Sequence, residues 1–405
     1  MYYHFVFKEL TEMLPEKSLA WGQSKSCIRE LAAYGTARKA EIGKDKVFDF
    51  SIGNPSVPAP DCVAEAISAL LKEDSLDLHG YTPASGRMSF RTAIAEDLNR
   101  RYQAEVSADM IYVTCGAAAG LSSCTHGLLL PGEEAVTFAP FFPEYTVFTE
   151  AAGGKLVSVL PAEGLQPDMA AFEAALNEKT KLVIINTPNN PSGVVLSAES
   201  LQSIGDILRR AEEKYGHTIY LVSDEPYREL VYDGVQAPCV MHFYDDTIIC
   251  YSFSKSLSLP GERVGYLAVS SRMAEKEKVF ASIAGAARSC GYVNAPSMMQ
   301  RVIEKCLGQT ADISQYKQSR DLLYGGLTAL GFDCVKPDGA FYLFMKTPEP
   351  DAKAFSERAK KFELLLVPSD DFGLPGYVRI AYCVSPEMIQ HAMPAFKQLA
   401  EEYGL

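Results

Sequence analysis

The chain has 405 residues, of which 47% are hydrophobic and 22% charged, and its formal charge is -13. That length exceeds one ordinary core and predicts two domains. The negative charge argues against nucleic-acid binding, which needs a basic face to neutralise phosphates; small anions stay open, since a few local Arg or Lys residues can hold them.

The opening, MYYHFVFKELTEMLPEK, contains acidic residues and lacks the basic start and apolar core of a signal peptide. No apolar run approaches the roughly 20 residues of a membrane helix. The ten cysteines include no CxxC pair, so neither a zinc site nor a disulfide frame is suggested. A cytoplasmic protein with reduced thiols and no metal is expected.

Residues 26–42 read as a helix with Ser26 as its cap, after which Pro55, Pro58 and Pro60 break the chain. Residues 61–103 are mostly helical, interrupted by HGYTPASG, whose Gly and Pro mark a loop. Short apolar runs then alternate with helical stretches: IYVT (111–114), KLVIIN (181–186), TIYLVSD (218–224), TIICYSFS (247–254) and RVGYLAVS (263–270). Runs apolar at almost every position suit strands buried on both faces, hence a largely parallel sheet covered by helices. Between two of them Leu201, Ile204, Leu208, Ala211 and Tyr215 step along one helical face, and Gly216 stands where a C-terminal cap belongs. The fold class is therefore α/β. After about residue 305 come a helix (314–330), FDCVKPDGAFYLFMK, a helix near 351–361, LLLVP and YVRIAYC. This part predicts a smaller α+β domain joined by the N-terminal helix, with residues 1–48, 49–305 and 306–405 as the divisions.

Ligands of open α/β sheets bind at the carboxyl ends of the strands. Four runs carry unusual chemistry there: IYVTC leads into GAAAG, KLVIIN into TPNNPSG, TIYLVS into DEPY, and TIICYSFS into Lys255. A lone lysine after a strand is ordinarily a solvated charge. Lys255, however, lies between two hydroxyls and before Gly261, Arg263 and Gly265, the parts of an anion site. Burial and cationic neighbours would leave its amine uncharged and able to form a Schiff base. Asp224 suits a turn or helix cap, and equally a carboxylate set against a pyridine nitrogen. A Schiff-base lysine with such a partner marks pyridoxal-phosphate (PLP) sites. Tyr227 lies within reach of the same ligand.

TPNNPSG is a turn by composition, yet its paired asparagines exceed what a turn needs. GAAAG is explained by close helix packing, and its helix start also suits a phosphate. Arg379 lies in an apolar strand pattern, where a buried guanidinium needs a carboxylate; a protein side chain and a substrate both remain open.

From SIGNPSVPAP to YVRIAYC the chain resembles the class I/II aminotransferases, aspartate aminotransferase-like members of the fold-type I PLP enzymes. The anchors are YTPASG, TPNNPSG, SDEPY, SFSKSLSLPGERVGY, PDGAFY and VRIAYC. The resemblance implies that Lys255 joins pyridoxal 5'-phosphate as an imine and that Asp224 pairs with the ring nitrogen. It places Asn190 and Tyr227 on the ring hydroxyl, with Phe142 stacked on the ring. Gly116, Ala117, Ala118, Ser252, Ser254 and Arg263 would hold the phosphate, which Tyr81 of the other subunit of a homodimer would also reach. Arg379, Asn190 and the backbone near Gly53 would take the substrate's α-carboxylate. The expected activity moves an amino group from an L-amino acid to a 2-oxo acid by a ping-pong route. Three departures stand out: Ala117 and Ala118 lack hydrogen-bonding side chains, Phe142 replaces a more usual Trp or Tyr, and PSDDFG replaces a Pro-Gly pair before Phe-Gly.

The alternatives are a β-lyase, racemase or cyclopropane-forming synthase of the same fold. A PLP-sensing regulator fits less well, for no basic recognition helix precedes the cofactor motifs. Neither GxGxxG nor GxxxxGK[ST] occurs, which disfavours a nicotinamide or nucleotide enzyme.

Overall fold

The structure, a computed structural model, describes residues 14–23 and 26–405. Its centre is a seven-stranded sheet in the order β2-β8-β7-β6-β5-β3-β4. The strands are β2 (Ile111–Thr114), β3 (Glu134–Phe138), β4 (Lys155–Val159), β5 (Thr180–Asn186), β6 (Tyr220–Asp224), β7 (Thr247–Ser252) and β8 (Gly265–Val269). Only β8 runs against its neighbours β2 and β7; the other pairings are parallel. Every residue of β2, β7 and β8 is buried, as the unbroken apolar runs require when helices cover both faces.

The crossover between β5 and β6 is the helix Ala198–Tyr215. Ser197 caps its start by accepting from Ser200 N at 3.1 Å. Leu201, Ile204, Leu208 and Ala211 are buried along one face, and Gly216 ends the helix with φ of 73°. The N-terminal helix runs from Cys27 to Ile42, but its residue Ser26 makes no side-chain cap. Ser26 stands at the expected cap position, where its carbonyl takes the Glu30 N–H, but its hydroxyl makes no capping bond.

A second sheet, in the order β12-β13-β10-β9, joins β9 (Cys334–Val335), β10 (Tyr342–Lys346), β12 (Val367–Pro368) and β13 (Tyr377–Ala381), all antiparallel. Helices Ser314–Ala329 and Pro386–Glu402 cover it around a core containing Leu323, Phe341 and Phe396. The chain's early segment joins this part: β1 (Phe48–Asp49) pairs in parallel with β11 (Leu364–Leu365). Arg38 also meets Glu363 there at 2.5 Å. Among the described residues, no helix is long and apolar enough to cross a membrane.

Gly205, inside the crossover helix, lets the backbone of Phe243 approach: a Cβ at 205 would lie 2.3 Å from that carbonyl oxygen. Gly-to-Ala in a helix interior normally gains about 1 kcal/mol, but overpacking here costs more. Gly205→Ala is expected to lower unfolding free energy by about 1 to 2 kcal/mol in urea titration.

Candidate active site

Since β2, β5, β6 and β7 are parallel, their carboxyl ends meet along one edge, and the four chemical motifs converge there. They open onto a cavity of about 290 Å³ lined by Ala117, Ala118, Phe142, Asn190, Asp224, Tyr227, Ser252, Ser254, Lys255, Arg263 and Arg379, with Gly53 on its far wall.

β6 delivers Asp224 into this cavity with only 4% of its surface exposed. Burial pushes its carboxyl up to about 7, opposed by a hydrogen bond from Tyr145 and reinforced by nearby Glu225. The Tyr145 hydroxyl donates to Oδ2 at 2.6 Å; Oδ1 is buried with no partner. The Asp224 carbonyl accepts from Asn186 Nδ2 at 2.7 Å, and Asn186 Oδ1 accepts from Asn190 N at 2.6 Å. The TPNNPSG turn thus divides its asparagines. Asn189 braces the turn through Ser192, whose N–H and hydroxyl donate to Oδ1 at 2.9 and 2.7 Å, while Asn190 faces the cavity.

β7 stops at Ser252, and the single helical turn Phe253–Ser256 swings Lys255 inward. Its Nζ donates to Gly53 O at 2.8 Å and lies 5.2 Å from the Phe341 ring centre. Burial lowers its pKa to about 8; the cations of Arg379 and Arg263 act in the same direction, against the Cys383 thiol. The amine is therefore neutral in half the molecules at mildly alkaline pH.

The anion end forms where β2 gives way to the helix Ala117–Leu128. Gly116 has φ of 80°, and a Cβ there would lie 2.5 Å from the Arg263 Nη2 atom, so glycine is what lets the guanidinium in. Arg263 itself takes a left-handed conformation and donates to Ser254 Oγ at 3.4 Å and Pro260 O at 2.8 Å. The Ser252 and Ser254 hydroxyls lie 2.7 Å apart. Together with the free N–H groups at the helix start, these groups form a cationic, donor-rich pocket.

At the other end β13 carries Arg379, 3% exposed. Its Nη2 donates to Ser51 O at 2.6 Å and Nη1 to Asn190 Oδ1 at 3.3 Å. Its guanidinium carbon lies 4.8 and 5.2 Å from the ring centres of Tyr342 and Phe372. Among the described residues no carboxylate pairs with it, and Nε has no partner. Tyr227 is buried, its hydroxyl 3.0 Å from that of Tyr342.

Of the residues expected from the sequence, Tyr81 alone stands apart, 99% exposed on the surface. Sequence reasoning missed Tyr145, Asn186 and Tyr342, which act on its chosen residues through contacts far apart in the chain. PDGAFY had been noted as an anchor, yet nothing local marks Tyr342 as a neighbour of Tyr227 and Arg379.

Residues 45–396 match the family described as aminotransferase class I and II. The chain belongs to that family. It is an aminotransferase of fold type I, and lyase, racemase or synthase readings are not favoured. The aspartate aminotransferase of Thermotoga maritima is 31% identical over 88% of this chain and 92% of the relative. A probable aspartate aminotransferase of Methanocaldococcus jannaschii is 32% identical over 93% and 97%. Among solved structures, an aminotransferase of Eubacterium rectale shares 50% identity with a TM-score of 0.94, covering 97% of this chain and all of that one. The Thermus thermophilus aspartate aminotransferase with maleate gives 27% and 0.85, covering 95% and 99%. Enzymes of this family generally use PLP.

Lys255 is expected to differ from ordinary lysines in the cofactor-free protein. Its labelling by an acylating reagent, followed by peptide mass spectrometry across pH, should reach half its maximum near pH 8, where solvated lysines near 10.4 remain largely protonated. Half-labelling of Lys255 above pH 10 would contradict a buried amine.

Proposed function

We propose that this aminotransferase binds pyridoxal 5'-phosphate in the cavity through Lys255 and moves an amino group from an L-amino acid to a 2-oxo acid. The observation that carries the reading is the pair of incomplete polar groups at its two ends. Asp224 Oδ1 is buried with no donor, and Arg379 is buried with no carboxylate among the described residues. Each lacks the partner that a protonated ring nitrogen and an α-carboxylate would bring.

The residues present fit the cofactor. Ser252, Ser254, Arg263 and the backbone of Gly116, Ala117 and Ala118 suit its phosphate, Asn190 and Tyr227 its ring hydroxyl, and Phe142 a ring face. When bound, PLP supplies an aldehyde that condenses with amines and a pyridine ring that accepts electrons. Arg379, with Asn190 and the backbone by Gly53, grips the α-carboxylate and so fixes which bond at Cα stands toward Lys255. Lys255 Nζ, neutral when free, would accept the proton from Cα as general base and, as general acid, deliver it to the carbon that the cofactor's aldehyde supplies. Asp224 holds a proton at the ring nitrogen. Phe142 covers the site and excludes water, which strengthens each of these electrostatic contacts.

The same reading divides the chain into an N-terminal arm (1–48), a large cofactor domain (49–305) and a small domain (306–405). It makes the enzyme a cytoplasmic homodimer of amino-acid metabolism in which the exposed Tyr81 reaches the phosphate of the neighbouring subunit. The compounds in the relatives' names, aspartate as amino donor and prephenate as oxo-acid acceptor, head the panel to be tried.

An amino acid with 2-oxoglutarate should yield a new oxo acid and a new amino acid, with the parallel double-reciprocal lines of ping-pong kinetics. Lys255→Ala should abolish both this turnover and the absorbance of the imine between lysine and cofactor. Normal turnover in that variant would falsify the assignment.

A further inference from the structure

We propose that Tyr145 is a positioning residue, whose hydroxyl holds the Asp224 carboxylate ionised, occupying Oδ2 and leaving Oδ1 for the ring nitrogen of the cofactor. The inference rests on the placement of Asp224 against that nitrogen, argued above.

Tyr145 lies on the helix Glu144–Ala151 and is 1% exposed. Its hydroxyl makes a 2.6 Å bond to Oδ2. A buried carboxylate tends to take up a proton, and a donor to the charged form is what opposes that tendency. Burial and the adjacent carboxylate push the Tyr145 phenol well above its ordinary pKa, so it stays protonated and can only donate to Asp224. The other groups facing Asp224 do not help: Glu225 repels its charge, and Tyr227 and Cys250 are themselves driven upward partly by it. Tyr145 is thus the side-chain donor that the carboxylate has on its own side of the cavity.

The bond also fixes direction. With Oδ2 tied to Tyr145 and the backbone of Asp224 held through its carbonyl by Asn186, the remaining carboxylate oxygen is the bare one. The Phe142 ring meets Tyr145 edge-on, with centroids 5.7 Å apart at 84°. The same tyrosine therefore seats the ring that covers the cofactor.

The test compares wild type, Tyr145→Phe, Asp224→Asn and the double variant. In the cofactor-free protein, the Asp224 carboxyl followed by carbon-13 NMR should titrate about one unit higher in Tyr145→Phe, because a bond to a charged acceptor is lost. Binding of PLP to apoenzyme, measured by calorimetry, should weaken roughly tenfold in Tyr145→Phe and not weaken further when that change is added to Asp224→Asn. An unchanged Asp224 titration, or equal weakening in both backgrounds, overturns the role of Tyr145 and leaves only ring packing. Wild-type PLP affinity in Asp224→Asn overturns instead the placement of Asp224, while the titration still judges Tyr145. If Tyr145→Phe does not fold, 3-fluorotyrosine at 145 keeps the shape and strengthens the donor. It should lower the Asp224 titration, and no shift counts against the proposal.

Discussion

Three polar groups around one cavity, Asp224 and Lys255 at the rim of the central sheet and Arg379 on the second sheet, have less than their full set of partners. Among the described residues, Asp224 keeps one bare oxygen, Arg379 a bare Nε and no carboxylate, and Lys255 a hydrogen bond to a backbone carbonyl alone. A buried group left unsatisfied costs about 1 to 3 kcal/mol, and more when charged. A fold tolerates three such debts in one cavity only if something else settles them. The remaining architecture supplies the framework: apolar strands closed on both faces by helices carry Asp224 and lead into Lys255, and the second sheet carries Arg379.

The parallel strands explain why those groups meet. A parallel sheet aligns its carboxyl ends, so residues as distant in sequence as Gly116, Asn190, Asp224 and Lys255 share one rim without any local motif joining them. The antiparallel β8 adds the second constraint. It runs back between β2 and β7, setting Gly265 opposite both Thr114 and Ser252. A Cβ at Gly265 would lie 2.2 Å from Tyr251 O and 3.1 Å from the Gly116 carbonyl carbon. The anion pocket is therefore a product of backbone approach, which accounts for its tolerance of Ala117 and Ala118 in place of hydrogen-bonding side chains.

Strands buried on both faces announced themselves in sequence, and β2, β5, β6, β7 and β8 lie within the apolar runs. β3 and β4 did not stand out. β4 is the edge strand, half of it facing water, and β3 is broken by Glu134 and by Thr137, whose hydroxyl is satisfied only through Ile184 O across the sheet. The run 247–254 read as one strand because its last residues are apolar or small; the chain turns helical at Phe253, where Ser252 accepts from Ser254 N. Most of the cavity's principal residues were legible because they sit near a glycine, proline or strand end, and Arg379 because a charge interrupts an apolar strand pattern. Tyr145 and Tyr342 were not, since they are 79 and 115 positions from the side chains they bond.

The structure gives the departure at PSDDFG a physical meaning. Phe372 of that segment lies against the Arg379 guanidinium, and its carbonyl accepts from Phe141 N at 3.0 Å, tying it to the loop that carries Phe142. Asp371 points the other way, its Oδ2 accepting from Cys27 N at 3.4 Å at the start of the N-terminal helix, where a carboxylate is favoured by the helix dipole. That helix brings Ile28 to the cavity wall and is tied further along by Lys39 to Asp49 at 2.6 Å. Asp371 therefore acts on the wall rather than inside the cavity. It braces the helix that brings Ile28 to the cavity, while Arg379 faces the same cavity beside the Tyr342 and Phe372 rings.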